Sequence, residues 1–524
     1  TLYFAGNVVF KTHDGGNSWQ TISPDLTRQK YDLPKNVGVY TSDSLIKMPP
    51  RGVIYTLAPS PLDSNTIWAG TDDGYIQVTR DGGKTWKNVT PAAITCWSKI
   101  CLMDASHTDV NCAYAAVNRS KLDDLRPHIY KTTDGGTTWK EIVNGLPDDP
   151  INVVKEDPLR KGLLFAGSER MTYVSFDDGD HWQSLRLNMP CSSIRDLVIK
   201  DNDLVVATHG RSFWILDDIT PLRQVTAETA KQSAVLYKPE PSYRVRWDMY
   251  PDTPLPADEP AGKNPPDGAI IDYYLSANST SEVTLDITTH SGGLIRHYSS
   301  KDTMYKIPPV NIPLYWVRPQ QILSADSGSH RFLWDMRYTP LNVAPEYPIS
   351  ATVGETAPAP TSPWVKPGFY IVTLTVNGQK YAQTIEIKMD PRVKTLIPSI
   401  MQQFDLASIC YVDRKNTVEG LKEMANIKTA IQTMLPHCTP ALSDTLKTFL
   451  RNCDSLKLDR IDYKLKVLFD AINGVDAAPT SQCVDAVKAT DADYKIIWVK
   501  WNNLKSDLPN INEQLKKAGF DGIY

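Results

Sequence analysis

The chain has 524 residues, of which 22% are charged, and a formal net charge of −4 at pH 7. Because single cores rarely grow past about 250–300 residues, this length predicts two to four domains. The slight acidity and the lack of a long lysine or arginine run argue against a surface dedicated to nucleic acid or membrane. No apolar stretch approaches the roughly 18 residues that a spanning helix needs.

An eight-residue pattern recurs four times in the first part of the chain. It keeps a hydroxyl residue, an aspartate two places on, a glycine two places later and a tryptophan three places after that. The copies are THDGGNSW (12–19), TRDGGKTW (79–86), TTDGGTTW (132–139) and SFDDGDHW (175–182). Residues that favour strands flank each copy, so each predicts a tight turn within one repeated β unit.

The residue types in this pattern predict a turn that satisfies its own hydrogen bonds. The aspartates can accept bonds from the turn's amides, the glycines allow positive φ, and the tryptophans can pin each hairpin to its neighbour. Calcium binding or acid catalysis by the aspartates is the less favoured alternative. The structural residues predicted in this way are Asp14, Gly16, Trp19, Asp81, Gly83, Trp86, Asp134, Gly136, Trp139, Asp177, Gly179 and Trp182.

The pattern resembles the Asp-box, or BNR, repeat of sialidases, sortilin-like receptors, xyloglucanases and photosystem II assembly factors. In those families the Asp box joins the third and fourth strands of a propeller blade, at the periphery and away from the central site. The resemblance therefore implies a mainly β protein built on a β-propeller. It implies a scaffolding role for the four aspartates and no activity by itself.

Aligned copies predict a period of four short strands, such as VIYTLAPS, TIWAGT, YIQVTR and WKNVT in the second copy. Residues 1–222 are predicted to hold a partial propeller of about five blades, three of them complete. The first blade lacks its innermost strand, and the last (194–218) has three strands and no Asp box. The chain begins in mid-strand without Met, so we expect a fragment whose missing N-terminal propeller half supplies further blades.

The turns between second and third strands should lie on the face opposite the Asp boxes, with the connections between blades. We predict that they form a polar ring that binds a ligand, because loops on a rigid scaffold commonly carry binding sites. The alternative is a solvated rim. Two loops, 23–50 and 120–127, are much longer than the corresponding loops of the other blades. These two additions are expected to extend one of the two rims of the propeller. The polar ring consists of Asn7, Asp72, Asp73, Asn118, Arg119, Glu169, Arg170, His209 and Arg211.

Longer runs are similar to a large bacterial family labelled sortilin-like or BNR-repeat "glycosyl hydrolase". They include ISPDLTR (22–28), IWAGTDDG (67–74), YVSFDDGDHWQSL (173–185) and DNDLVVATHGRSFWILDDITPLRQ (201–224). The resemblance continues to the end of the chain. It implies the C-terminal half of a secreted tandem-propeller protein, in an extracellular or periplasmic location, and implies no established reaction.

The composition shifts after the repeats. Residues 223–266 are rich in proline and predict an extended connector. About seven short strands over 267–391 predict an immunoglobulin-like β-sandwich. They include a hairpin with a tight turn at Asn377 and Gly378. Trp334 lies in a run that resembles the G-x-H-x-F-x-W-D sequence of bacterial accessory sandwiches, which usually pack or attach.

Residues 392–524 predict a small α-helical bundle, because apolar residues recur every three or four positions. Pro440 and Pro479 divide the segment into antiparallel helices. Trp498 and Trp501 could be mistaken for a ligand-binding stripe, but core packing is the favoured interpretation.

The eight cysteines divide evenly between the repeat region and the C-terminal region, without the CxxC spacing of a metal site. Disulfides within each group would indicate an oxidising compartment, and eight buried thiols are the alternative. Glycosylation sequons at Asn88, Asn118 and Asn278 are compatible with secretion. The disulfide candidates are Cys96, Cys101, Cys112, Cys191, Cys410, Cys438, Cys453 and Cys483.

The sequence has no GxxxxGK, GxGxxG, HExxH or GxSxG motif, so we predict no cofactor and no metal. Glycosidase chemistry needs two carboxylates roughly 5–9.5 Å apart across a cleft. Asp217 and Asp218 would point to opposite faces of a strand. Asp72 and Asp73 lie in a loop and are weak catalytic candidates.

We therefore expect a secreted, non-catalytic propeller whose polar ring binds a protein, peptide or glycan. The sandwich and the bundle would help in attachment or in assembly with other copies. One alternative is an endo-acting glycoside hydrolase of the xyloglucanase type, and another is a subunit of an extracellular assembly. The ring turns are poor in aromatic side chains, which favours binding over sugar cleavage.

Overall fold

The computed structural model describes residues 1–30, 33–40, 52–246, 262, 264–309, 313–347 and 356–523. The chain divides into two compact units, Thr1–Lys231 and Gln232–Tyr524. The sequence predicted boundaries at 222, 266 and 391 instead. The sandwich and the helices share the second unit, and parts of the predicted connector and of the 23–50 addition lie outside the described residues.

The first unit consists of five small antiparallel sheets that follow one another along the chain. Three sheets have four strands, and the first and last have three, as predicted for five propeller blades. Their strands are β1 Leu2–Ala5, β2 Val9–Thr12 and β3 Gln20–Thr21; β4 Ile54–Pro59, β5 Ile67–Thr71, β6 Ile76–Thr79 and β7 Lys87–Asn88; β8 Lys99–Ala105, β9 Ala113–Asn118, β10 Ile129–Thr132 and β11 Lys140–Glu141; β12 Ile151–Glu156, β13 Leu164–Ser168, β14 Thr172–Ser175 and β15 Gln183–Ser184; β16 Ile194–Lys200, β17 Asp203–Thr208 and β18 Phe213–Leu216. A short helix, α1 (Thr220–Gln224), follows the last blade.

Each pair of adjacent blades encloses its own apolar cluster, and the innermost strands β4, β8, β12 and β16 contact one another in turn. Alternate residues of one strand face opposite neighbours. Trp68 packs towards the third blade, whereas Ile67 and Ala69 pack towards the first. Because both faces of β5 and β13 are covered, these strands are continuous apolar runs. The β-propeller fold predicted from the repeats is thus confirmed.

The outer faces of the first and last blades are covered by no further sheet in the described part of the chain. Leu2 and Phe4 occupy positions equivalent to Ile67 and Ala69, and Phe4 is 62% exposed. Phe213 and Ile215 lie on the opposite outer face, and Phe213 is 75% exposed. Both outer faces are therefore apolar surfaces of the kind that the inner blades bury.

The four Asp-box turns repeat one set of hydrogen bonds. In the second blade, Thr79 Oγ1 donates to Asp81 Oδ1 (2.8 Å), and Thr85 donates to the same carboxylate through its amide and its hydroxyl (2.9 and 2.7 Å). These bonds from Thr85 and Thr79 lower the pKa of Asp81 to about 2. Gly83 has φ +100°, and a Cβ atom there would lie 2.5 Å from Ile22 O. Each aspartate is therefore engaged within its own turn.

The Asp-box tryptophans connect successive blades through their indole N–H groups. Trp86 Nε1 donates to Ile22 O at 2.9 Å, and Trp139 Nε1 donates to Val89 O at 2.8 Å. Trp182 Nε1 makes the same bond to Ile142 O, at 2.8 Å. In each case the acceptor lies three residues after the tryptophan of the preceding blade. The sequence predicted that the tryptophans hold adjacent hairpins together, but it did not identify the backbone carbonyls that accept the indole bonds.

Trp139→Phe should lower the free energy of unfolding of the first unit by about 1–3 kcal/mol, because a buried carbonyl loses its donor. Urea denaturation followed by circular dichroism measures this change. Trp19→Phe is the matched control, since Trp19 is 45% exposed and makes no such bond among the described residues. Equal effects of the two substitutions would contradict the role assigned to the indole bond.

The β-sandwich of the second unit has a three-stranded sheet, ordered β19-β21-β24, and a five-stranded sheet, ordered β20-β26-β25-β22-β23. Trp334, Val372 and Ile385 are among the residues of the core between them. The strands are β19 Ala234–Leu236, β20 Ser242–Arg244, β21 Ala269–Leu275, β22 Thr284–Thr288, β23 Leu294–Ser299, β24 Gly328–Trp334, β25 Gly368–Val376 and β26 Gln379–Met389.

The predicted connector, 223–266, is partly incorporated into this sandwich. β19 pairs with β21, and β20 pairs in parallel with β26, each at the edge of its sheet. Pro239 and Pro241 flank these short strands, which is compatible with edge positions because proline cannot donate to a central ladder. The residues predicted as an extended connector thus include two short edge strands, β19 and β20.

Five helices form the remainder of the second unit: α2 Ile397–Met434, α3 Pro440–Ser455, α4 Leu458–Asn473, α5 Ser481–Lys505 and α6 Leu508–Lys517. Thr439 and Thr480 cap α3 and α5, accepting bonds from Leu442 N and Cys483 N. Trp501 is fully buried, in agreement with core packing. Among the described residues, none of the helices combines the length and the apolarity required to cross a bilayer.

The structure shows no disulfide at seven of the cysteines, which are Cys101, Cys112, Cys191, Cys410, Cys438, Cys453 and Cys483. Cys101 and Cys112 show the reason in the repeat region. The β8–β9 register places them at opposite ends of the strand pair, roughly 16 Å apart at about 3.3 Å per residue, which is too far for a disulfide. Burial raises the pKa of Cys101 to about 11. The alternative of buried thiols also holds only in part, because Cys191 is exposed.

Asp413 of α2 is buried beside Asp491 of α5. Its Oδ2 atom has no hydrogen-bond partner among the described residues. Burial, followed by the charge of Asp491, raises the pKa of Asp413 to about 7. Lys495 pairs with Asp491 at 2.7 Å and offsets only part of this effect. Folding therefore retains a proton on Asp413 that an unfolded chain would release.

An unfolded aspartate titrates near pH 4, so the contribution of Asp413 to stability should fall as the pH rises from about 4 to about 7. Asp413→Asn should remove this fall and stabilise the second unit at pH 8 by a few kcal/mol at most. Thermal unfolding at several pH values measures the effect. Asp485→Asn, an exposed position on α5, is the control, and an unchanged pH profile in Asp413→Asn would refute the assignment.

Candidate functional site

The polar ring lies on one face of the first unit. Its members occupy the turns β1–β2, β5–β6, β9–β10, β13–β14 and β17–β18, on the side away from the Asp boxes. These turns are bonded to the chain that enters the innermost strands: Glu169 N donates to Pro150 O at 3.1 Å, and His209 N donates to Ser193 O at 2.8 Å. A fixed backbone therefore presents the ring side chains.

The acidic members in the second blade hold the backbone in place. Asp72 Oδ1 accepts from Val53 N at 2.8 Å. Asp73 is 7% exposed, and its Oδ2 accepts from Arg28 N at 2.8 Å while its carbonyl accepts from Arg28 Nε at 2.7 Å. The Arg28 guanidinium also stacks on Tyr75. The two weak catalytic candidates thus anchor local structure and do not form a pair across a cleft.

The two long additions meet on the same face. Asn7 Nδ2 donates to Asp25 Oδ2 at 2.8 Å, which holds the start of the 23–50 addition against the first blade. Further along this addition, Asn36 Nδ2 donates to Lys121 O at 3.0 Å, within the 120–127 addition of the third blade. The sequence left open which rim the additions extend, and both extend the polar ring.

The 120–127 addition is folded around one carboxylate. Asp124 Oδ1 accepts from Arg126 Nε at 2.9 Å, and Arg119 Nη1 lies 3.6 Å from Asp124 Oδ2. His128 lies between Asp124 and Glu141, with its ring nitrogens 3.1 and 2.7 Å from their oxygens. The guanidinium of Arg126 is the first cause of the lowered pKa of Asp124. Arg119, a member of the ring, therefore also helps to hold the 120–127 addition in place through Asp124.

The innermost strands β4, β8, β12 and β16 all shift register next to the ring, and in β4, β12 and β16 the shift admits one extra residue. The register shifts between Ile54 and Thr56 in β4, and the corresponding shifts occur in β12 and β16. A bulge re-aims one side chain, here towards the ring. Sequence reasoning missed these residues, although each is polar or aromatic at the second position of an apolar strand. They are Tyr55, Asn152 and Arg195.

Glu169 is the centre of a hydrogen-bond network across three blades. Its Oε2 accepts from Ser193 Oγ at 2.6 Å, and its Oε1 accepts from Asn152 Nδ2 at 2.9 Å and from Arg195 Nη1 at 3.2 Å. Asn118 Nδ2 in turn donates to Asn152 Oδ1 at 3.4 Å. Burial acts to raise the pKa of Glu169, but the bonds from Ser193 and Asn152 and the charge of Arg195 outweigh it and lower the pKa.

The basic members of the last two blades remain accessible. Arg170 is 65% exposed, and its Nε lies 3.7 Å from Asp149 Oδ1, beyond hydrogen-bond distance. His209 and Arg211 are exposed in the β17–β18 turn, where Arg211 O accepts from Trp214 Nε1 at 2.9 Å. The structure thus combines a fixed acidic centre with exposed cationic side chains at its edge.

The carboxylates of Asp72, Asp73 and Glu169 each accept hydrogen bonds from neighbouring donors. Within the described ranges, no three His, Cys, Asp or Glu side chains are grouped to hold a metal ion.

No family profile and no curated protein matches the chain. Similar solved structures include YCF48 from Cyanidioschyzon merolae, with 17% identity and a TM-score of 0.25, over 32% of this chain and 54% of that chain. A structure of YCF48 bound to D1 peptide has 16% identity and a TM-score of 0.25, over 43% of this chain and 64% of that chain.

The GH74 enzyme of Niastella koreensis is also similar, with 12% identity and a TM-score of 0.31, over 72% of this chain and 54% of that chain. The chain therefore covers less than two-thirds of each of these structures. At such identities the likeness concerns the fold alone, and the assignment of the propeller rests on the blades themselves.

Glu169→Gln should destabilise the first unit by about 1–3 kcal/mol at pH 7, because Arg195 loses its carboxylate partner. The lowered pKa of Glu169 gives stability that is present above the ordinary glutamate pKa, about 4.3, and is lost on acidification. The difference between variant and wild type should therefore shrink below pH 4.3. Urea denaturation at pH 7 and pH 3.5 measures it, with exposed Asp148→Asn as the control.

Proposed function

We propose that the first unit is a non-catalytic binding module whose polar ring contacts a protein, peptide or glycan. The observation that carries this proposal is the Glu169 network, which fixes side chains of the third, fourth and fifth blades relative to one another. A surface fixed before binding loses little conformational entropy when a ligand docks. The exposed side chains of Arg170 and Arg211 at its edge are suited to charged or hydrogen-bonding ligands.

The enzyme alternative, an endo-acting glycoside hydrolase, is less well supported. It needs a carboxylate pair facing a substrate cleft. The best loop candidates, Asp72 and Asp73, are engaged with Val53 and Arg28. Tyr55, which is half exposed beside Lys99, is an aromatic surface that a sugar ring could stack on, and this feature of the ring face favours the alternative.

A role in assembly has an observation of its own. We propose that further propeller blades pack on the outer faces that carry Phe4 and Phe213, since the equivalent positions of the inner blades are buried. An extracellular or periplasmic location is part of the proposal and rests on the family resemblance alone.

Protein, peptide and glycan arrays, together with a hydrolysis assay on xyloglucan, test the proposal with the full chain. We expect saturable binding without release of sugar. His209→Ala combined with Arg211→Ala should weaken binding about tenfold or more, because two exposed contacts of the ring are lost. Lys84→Ala is the control, since Lys84 is exposed in an Asp-box turn on the opposite face.

Two results would count against this proposal. Sugar release that is abolished by Asp72→Asn, in a variant that remains folded, would favour the glycosidase. Binding that is weakened by Lys84→Ala and unchanged by the double ring variant would place the contact on the Asp-box face.

A further inference from the structure

Around the fourth and fifth blades, three buried polar side chains each have one atom that lacks a hydrogen-bond partner in the described part of the chain. Among the described residues, these atoms are Asp149 Oδ2, Tyr173 Oη and Ser192 Oγ. The three residues are 2%, 3% and 6% exposed. Buried polar atoms are normally paired, because an unpaired one loses its bonds to water without replacement.

The three residues surround the same turn of the polar ring. Asp149 and Tyr173 both lie beside Ser168, at the start of the β13–β14 turn. Ser192 N donates to Arg170 O, in the same turn, at 2.9 Å. The cluster is therefore continuous with the ring, with Asp149 next to the Arg170 side chain.

The charge of Asp149 has only partial compensation. Arg170 is the one cation within ion-pair distance of it in the described part of the chain, and the 3.7 Å separation is too long for a hydrogen bond. Arg170 itself is mostly in solvent, so little is lost when it moves aside. Burial raises the pKa of Asp149, which reflects the poor solvation of its charged form.

We propose that Asp149, Tyr173 and Ser192 form a subsite for a primary ammonium group, such as a lysine side chain of a polypeptide ligand, with Arg170 as the residue it displaces. An ammonium group has three N–H donors and no acceptor, which matches three oxygen atoms that can each accept a hydrogen bond and have no partner among the described residues. It is also compact, whereas a planar guanidinium needs a wider, fork-shaped site. This inference rests on the proposed binding function and adds the chemistry of one contact.

Titration with Nα-acetyl-lysine N-methylamide, followed by NMR of the full chain, tests the subsite. The norleucine analogue, which lacks the charge, is the matched probe. We expect the lysine probe to bind and the norleucine probe not to bind. Asp149→Asn should weaken lysine binding about tenfold or more, because the buried charge is lost. Asp148→Asn, its exposed neighbour, should bind as the wild type does.

A second pair of variants keeps the test decisive if Asp149→Asn does not fold. Arg170→Ala should tighten lysine binding, because the competing cation is removed. Arg186→Ala removes the same charge from an exposed position of the connection between the fourth and fifth blades and should have a smaller effect. Equal affinities for the two probes, or equal effects of Arg170→Ala and Arg186→Ala, would overturn the subsite.

The outcome can be separated from that of the proposed function. A chain that binds an array ligand through the ring but shows no preference for the lysine probe rejects the ammonium subsite alone. A chain that binds no array ligand, yet binds the lysine probe in an Asp149-dependent manner, retains the subsite and rejects the wider binding role.

Discussion

The first unit depends on one repeated bond, from the indole N–H of an Asp-box tryptophan to a carbonyl of the preceding blade. The aspartate fixes the turn from which the tryptophan starts, and the glycine lets that turn approach the neighbouring blade closely. Each interface is therefore built from contacts between sequence neighbours, with its own apolar cluster. On the opposite face, the Glu169 network adds a second set of bonds between the third, fourth and fifth blades.

The acidic and the basic residues of the ring face differ in what they contact. Its acidic residues act as local anchors, as Asp73 does for Arg28, or as a network centre, as Glu169 does for Asn152 and Arg195. Three of its basic residues, Arg170, His209 and Arg211, extend into solvent. Such a surface favours recognition, in which prepared geometry matters more than reactive groups.

The sequence predicted the blades well because the repeat carries its own turn chemistry, which acts over a few residues. It could not identify Asn152 and Arg195 as ring residues, because a bulge aims them and the bulge depends on pairing with the next strand. The edge strands β19 and β20 were missed for a similar reason. Their prolines predicted an extended connector, whereas strand formation depends on pairing partners more than thirty residues away.

The bond between Asn36 and Lys121 links two additions that belong to different blades. Each addition on its own would be expected to tolerate insertions and deletions, as exposed loops commonly do. The bond couples their lengths. A deletion in one of them leaves the other without its support, so related chains are expected to shorten or lengthen both together.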